Sequence, residues 1–408
     1  MFHIHRSLLA AALVTVVGTA LAQNALTSGC VPFDNGKANA PSQMPAFSGQ
    51  TRACMAPKSA PVTVTVMAKG LDHPWAVEPL PDGGLLVTER DGRSLRHVAA
   101  DGTVSKSITG LPAINAGGQG GLLDVALSPA FATDRTIFWS YAEPREGGNG
   151  TSVARGVLSA DKLRLEQVRV ILRTQPTYDG SLHFGSRLAF GPDGMLYVTL
   201  GERSDLATRP QAQDLGSHLG KVLRITADGA APPDNPFVGK AGARPEIWSW
   251  GHRNVQAAAF DGAGRLWTVE MGPRGGDELN LIERGKNYGW PAITYGIEYS
   301  GKPVGPGETA RAGMEQPVYY WDPVIAPSGA QWYSGDAFAA WRGNLLVGGM
   351  RSQALVRLVI EGNRVVGEEH LLTERKQRIR DVRQGPDGAL YVVTDERNGE
   401  LWKITPAK

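Results

Sequence analysis

The chain has 408 residues, 42% of them hydrophobic and 20% charged, with 51 Gly, 27 Pro and a formal net charge of +2 at pH 7. It is too polar for a polytopic membrane protein and too apolar for a disordered one. The near balance of charge also argues against nucleic acid or an acidic membrane surface as a partner. A turn-rich, all-β globular protein fits this composition.

Residues 1–22 read as a secretory signal peptide. Arg6 supplies the positive charge, Leu8 to Leu21 the apolar run, and Ala20-Leu21-Ala22 the small-x-small pattern before Gln23. The run is short for a bilayer span, and no Cys follows the cleavage point. The expected product is exported, periplasmic or secreted, without a membrane span. Residues 23–60 form an N-terminal extension that carries the two cysteines, Cys30 and Cys54. In an oxidising compartment they are expected to form one structural disulfide, the alternative being two free buried thiols.

From residue 61 to 408 one pattern recurs: a short apolar strand, a Pro/Asp/Gly turn, and a second apolar strand. Val62-Thr-Val-Thr-Val-Met67 alternates strictly and precedes the first copy. The turns fall near Asp82, Pro129, Asp193, Asp261, Gly335 and Asp387, 47 to 74 residues apart. Six copies with hairpin turns inside them predict a radial repeat. A lone four-stranded sheet cannot bury both faces, whereas six around an axis cover one another. The expectation is a six-bladed β-propeller of four-stranded antiparallel blades. The ring should close with Val62–Met67 beside the last strand, Glu400 to Thr405.

Few residues stand out chemically. His73, His97, His218 and His370 show no partner in their local sequence. His183 and His252 each sit just before a predicted inner strand, where a side chain faces the axis, so either could act as a base. Arg253 and Asn254 share that rim, and Arg351, Arg378 and Arg380 recur at comparable places in later blades. Arginines converging on one axis would bind a multiply anionic planar ligand, although scattered surface arginines remain the alternative. Glu270 to Asn280 combines Gly and Pro turns with Asp277 and Glu278, a weak pattern for a hard cation such as Ca²⁺.

Several of these runs resemble the soluble quinoprotein glucose/sorbosone dehydrogenase family. They are Gly118-Gln-Gly-Gly-Leu-Leu123, His183 with Arg187-Leu-Ala-Phe-Gly-Pro-Asp-Gly194, and Gly220-Lys-Val-Leu-Arg-Ile225. Gly251-His-Arg-Asn254, Met271-Gly-Pro-Arg-Gly-Gly-Asp-Glu-Leu-Asn280, Lys286-Asn-Tyr-Gly-Trp-Pro291 and Arg380-Asp-Val follow in family order. Within the family the chain is most similar to bacterial periplasmic aldose sugar dehydrogenases that use pyrroloquinoline quinone (PQQ). The resemblance implies a six-bladed propeller with PQQ at its axis and Ca²⁺ beside it. It implies oxidation of an aldose at C1 to a lactone, with hydride passing to PQQ. By the same resemblance His183 is the general base, Arg253 polarises the quinone oxygen, and Asp277 lies near the substrate. Gln119, Asn254, Arg351, Arg378 and Arg380 would bind the cofactor. Gly272 and Pro273 would hold one Ca²⁺ through their carbonyls, and Glu278 with Tyr288 a second, structural one.

The chain departs from the family's best-known glucose dehydrogenases in having Leu182 where they have an acid before the base, and Arg351 where they have Lys. Its Trp290–Trp321 stretch is short, which favours a monomer over a dimer, and an open pocket with broad aldose specificity is expected. The electron acceptor, a quinone or a cytochrome, is not legible. Two other readings compete: a Ca²⁺-dependent lactonase and a non-catalytic propeller that binds a protein or glycan. The first needs an acidic axis, whereas this one is rich in arginine. The second would favour loss of the base or the arginines, and all are present.

Overall fold

The computed structural model describes residues 29–407; the expected signal peptide lies outside them. Among the described residues no helix is long and apolar enough to cross a membrane. The chain folds into six antiparallel sheets arranged as propeller blades, five with four strands and one with three. Their inner strands are Pro74–Pro79, Leu122–Leu127, Leu188–Phe190, Val255–Phe260, Pro327–Trp332 and Ile379–Gln384.

Each turn expected from the sequence connects an inner strand to the next strand of its blade, and the local chemistry explains why. Asp193 Oδ1 accepts the Met195 N–H at 3.0 Å, and Asp387 Oδ1 accepts the Ala389 N–H at 3.1 Å. In both turns the other carboxylate oxygen takes the hydroxyl of the tyrosine four residues on, Tyr197 or Tyr391. The glycine after each aspartate, Gly194 or Gly388, has a φ of +75°, a region that glycine enters without steric cost.

The ring closes as expected. Val62–Leu71 pairs with Gly399–Pro406, Val64 opposite Ile404 and Thr65 opposite Lys403. The N-terminal strand thus supplies the outer strand of the last blade and joins the two ends of the propeller. The first blade corrects the expectation of four strands throughout. After Ser94–Val98 the chain returns with only two backbone-to-backbone hydrogen bonds to that strand, from the Ser105 N–H to His97 O and the Ile108 N–H to Leu95 O. Three steps on one side then face two on the other, so the ladder is broken by an extra residue and no regular strand forms.

The extension runs along the outer edge of the fifth blade. The Cys30–Cys54 disulfide closes it, the Glu368 N–H donates to Cys54 O, and the Ala56 N–H donates to Glu368 O, both at 2.9 Å. An otherwise open sheet edge is thereby covered.

Midway along the axis lies a buried ionic plug. Arg187 is fully buried, 2.8 Å from Asp124 and 3.3 Å from Asp381, with its guanidinium 4.3 Å from the Trp75 ring centre. Arg383 joins the same acids and Glu78. Burial, against the pull of Arg383, pushes the Glu78 carboxyl up to about 7. The plug ties together blades one, two, three and six and separates the two mouths of the axis.

Candidate active site

One mouth is formed by the residues that lead into the inner strands. It holds two adjoining chambers of about 360 and 440 Å³ that share Gln119, Met271 and Ala326. The larger is lined by His183, Arg253, Gly272, Pro273, Asp277 and Arg351 among others, the smaller by Arg90, Arg378, Arg380 and Asp395.

His183 precedes the inner strand of the third blade in a left-handed conformation, φ +47°. The backbone there is held on two sides. Gln119 Oε1 accepts the His183 N–H at 2.8 Å, and Arg203 Nε donates to Leu182 O at 3.0 Å. Gly185, two residues on, must be glycine, because a Cβ would meet the Leu200 backbone at 2.5 Å. The imidazole Nδ1 lies 3.1 Å from Glu202 Oε1, and Glu202 is itself buried. A carboxylate at Nδ1 selects the tautomer that keeps the proton there and leaves Nε2 free to accept. Burial, helped by the nearby Arg253 charge and opposed by Glu202, lowers the His183 pKa to about 4.

His252, the other candidate base, is excluded by its surroundings. It is fully buried, with Nδ1 2.9 Å from Glu270, Nε2 2.9 Å from the Ser249 hydroxyl, and its ring stacked on Tyr288. The histidines set aside on sequence do find carboxylates: His73 meets Asp91, His218 meets Glu246 and His370 meets Glu368. Asp91 and Glu246 are remote from their histidines along the chain, whereas Glu368 is two residues from His370 on the same strand.

Arg253 donates from one terminal nitrogen to the carbonyls of Met271 (3.0 Å) and Gly272 (2.6 Å) and lies over the Trp290 ring. Its Nε is buried with no partner, an orphaned donor beside the chambers. Asn254 is fully buried; its Oδ1 accepts the Gly185 N–H and so links the fourth blade to the His183 loop. Asp277 braces the wall: Oδ1 accepts the Gly272 N–H (2.9 Å) and Oδ2 the Ala326 N–H (2.8 Å). Burial outweighs these bonds and pushes its pKa up to about 7.

In the smaller chamber Asp395 accepts Arg378 on one carboxylate oxygen and Arg380 on the other, each at 2.7 Å. The two cations hold the Asp395 carboxyl well below its ordinary value although burial opposes them. Arg90 adds a third guanidinium, paired with Asp91. Arg351 stands apart from this group; it is exposed at the rim of the larger chamber.

Two expected metal residues are not brought together through their side chains. Glu278 is half-buried beside Glu270, opposite it in the sheet, and receives one bond, from Asn280 Nδ2. Burial and the Glu270 charge raise its pKa well above the ordinary value. The Tyr288 hydroxyl points elsewhere, donating to Leu281 O and accepting the Glu283 N–H. Among the described residues the one cluster of three metal-type side chains is Asp72, His73 and Asp91, in the first blade and away from Gly272 and Glu278.

Sequence reasoning missed Glu202, Asp395, Arg90 and Glu270 as parts of this site. A signal existed for all four: each ends or follows the second strand of a repeat, where the chain returns to the same mouth.

The glucose/sorbosone dehydrogenase family model matches residues 71–403. The chain is 47% identical over 352 residues to aldose sugar dehydrogenase YliI of Escherichia coli K12, covering 85% of this chain and 94% of that protein. A glucose dehydrogenase crystal structure superposes with a TM-score of 0.82 at 50% identity, over 85% of this chain and all of the other. The PQQ-bound form of aldose sugar dehydrogenase from Streptomyces coelicolor superposes with a TM-score of 0.70 at 32% identity, over 86% and 99%. This chain therefore belongs to the glucose/sorbosone dehydrogenase family and is an oxidoreductase of that general type.

Proposed function

We propose that the protein is an exported, PQQ- and Ca²⁺-dependent aldose dehydrogenase that oxidises sugars at C1 to lactones. The observation that carries the reading is the pairing of the two chambers: a buried His–Glu dyad in one, and in the other two guanidiniums sharing the Asp395 carboxylate with a third, Arg90, beside them.

The residues fit a PQQ-type cofactor. Arg90, Arg378 and Arg380 leave positive charge in the smaller chamber that suits a ligand with several carboxylates. The orphaned Arg253 Nε and the Gln119 side chain supply donors where the chambers meet. When bound, PQQ supplies the hydride acceptor. His183 Nε2 takes the proton of the anomeric hydroxyl as the C1–H bond gives up its electron pair, and Glu202 stabilises the resulting imidazolium. Arg253 is a fixed cation, already held by two carbonyls, so little reorganisation is needed as negative charge develops beside it.

Ca²⁺ fits less completely. Gly272 and Pro273 offer two carbonyl oxygens, short of the six to eight that Ca²⁺ takes, so cofactor oxygens and water would complete the set. Glu278 with Glu270 and the unpartnered buried Asn280 Oδ1 form a second acidic pocket without a counter-charge, which suits a structural cation. The Tyr288 hydroxyl is engaged with Leu281 and Glu283 and would not contribute there.

Dye-linked oxidation of aldoses by the purified apo-protein, with and without PQQ and Ca²⁺, tests the proposal. Sugar-dependent dye reduction should require PQQ and collapse in His183→Ala. PQQ binding without oxidation of any sugar or alcohol would remove the substrate assignment. Failure to bind PQQ would leave the non-catalytic propeller reading.

A further inference from the structure

The larger chamber has a wall that the family match does not include. That match begins at residue 71, yet Asn39, from the disulfide-closed extension, lines the chamber beside His183, Arg253 and Pro273. Its placement is built, not incidental. Asp322 accepts the Asn39 N–H at 2.5 Å and the Ala40 N–H at 3.0 Å on its two carboxylate oxygens. Arg52 donates to Gly36 O and Asp322 O, cinching the loop between the cysteines. Ala40 is buried against Gly275, inside the segment that carries Pro273 and Asp277.

The side chain of Asn39 is oriented as well. Its Oδ1 accepts the Val324 N–H at 3.0 Å. That leaves Nδ2, which has no partner among the described residues, as a pair of free donors at the chamber wall. The extension also steadies a second wall. The buried Gln50 bonds Tyr295, Gln316 and Pro317 in the loop that presents Tyr299 to the same chamber.

We infer that the extension is a specificity element for the sugar. Asn39 Nδ2 donates to a hydroxyl of the aldose away from C1, and Tyr299 offers the ring an aromatic face. A pre-oriented amide donor suits a sugar hydroxyl, and burying such a hydroxyl without a partner costs affinity. The contact is remote from the reacting carbon, so it acts mainly on binding. This inference rests on the aldose dehydrogenase reading of the site.

The test compares the PQQ-loaded wild type with Asn39→Ala on glucose and its 2-, 3-, 4- and 6-deoxy analogues, after matching their thermal stability and PQQ affinity. In the wild type one deoxy sugar should have a KM about 3–10-fold above glucose with kcat nearly unchanged. In Asn39→Ala the KM for glucose should rise by the same factor, and the penalty for that deoxy sugar should vanish, because the lost partners are the same pair. A loosened loop would raise every KM without abolishing one particular penalty. If Asn39→Ala does not fold, Asn39→Asp keeps the acceptor for Val324, removes the donors, and takes its place in the comparison. Identical deoxy-sugar penalties in wild type and variant would overturn the inference while the dehydrogenase reading stands. A wild type that oxidises no sugar would overturn both.

Discussion

His183 Nδ1 and Glu202 Oε1 meet at 3.1 Å because they flank one hairpin of the third blade. His183 precedes its inner strand, Leu188–Phe190, and Glu202 follows its partner, Leu196–Thr199, so pairing of the two strands returns both side chains to the same mouth. Glu202 is held in turn by the Ser204 N–H and fixes the imidazole tautomer. Glu202→Gln should therefore reduce kcat by about 10²–10⁴-fold, as loss of the orienting acid does in related His–carboxylate pairs. Steady-state kinetics on the PQQ-loaded variant would reveal this, and a change under threefold would show that Glu202 does not orient the base.

The same pair makes a prediction about titration in the apo-protein. Burial is the largest influence on His183 and lowers its pKa from 6.5 to about 4. The unfolded chain then binds this proton more readily than the folded one. The contribution of His183 to stability is present above pH 6.5 and is lost as the pH falls towards 4. Because Glu202 raises the value, Glu202→Gln should lower it further. Histidine NMR titration of apo-protein measures both, and an ordinary value near 6.5 in the wild type would contradict the burial argument.

Arg378 and Arg380 share Asp395 but differ in exposure: the Arg378 side chain is 40% exposed and that of Arg380 8%. Both should matter for PQQ affinity, and only one for folding. Arg380→Ala leaves the buried Asp395 short of its inner partner and should destabilise the fold by about 3–5 kcal/mol. Arg378→Ala should cost about 1 kcal/mol or less. Denaturant melts of the two apo variants separate the cases; equal losses would mean that Asp395 does not depend on the buried arginine.

The axial plug is open to a sharper substitution. Arg187→Met removes the cation between Asp124 and Asp381 and leaves the two buried acids with only the more distant Arg383, at a cost of about 3–5 kcal/mol. The loss should lessen at low pH, where Asp124, whose pKa burial raises, takes up a proton. A melt series from pH 7 to pH 4 measures this, and a loss independent of pH would point to lost packing against Trp75 instead.

Cys30→Ser opens the loop that carries Asn39. On the chain-entropy account a loop of this length is worth about 3 kcal/mol, or roughly 100-fold in local opening. Hydrogen exchange should therefore accelerate at the Phe33 and Met55 amides, which bond Ala53 O and Val31 O across the short ladder. The blade cores should be unaffected, and unchanged exchange at both amides would show that Asp322 and Arg52 hold the extension without the disulfide.

Much of this was legible before folding was considered. The four Asp-Gly turns carry their own geometry, since each aspartate accepts an amide two residues on, and with the Pro129 and Gly335 turns and flanking apolar pairs they define six hairpins. The position of His183 before an inner strand likewise places it at a mouth of the axis. The missing fourth strand of the first blade was not legible, because residues 99–108 read as polar strand and turn alike, and only their broken register against Leu95 and His97 decides. Glu202, Asp395 and Arg90 lie at legible places, the ends of second strands, but their roles were not legible, since each matters through a partner brought near by strand pairing or by blade packing. Asn39 is the extreme case: it reaches the chamber through Asp322, 283 residues away along the chain. Local chemistry is written in neighbouring residues and can be read there. The polarity of a site is a sum over distant ones, and it exists only once the ring has closed.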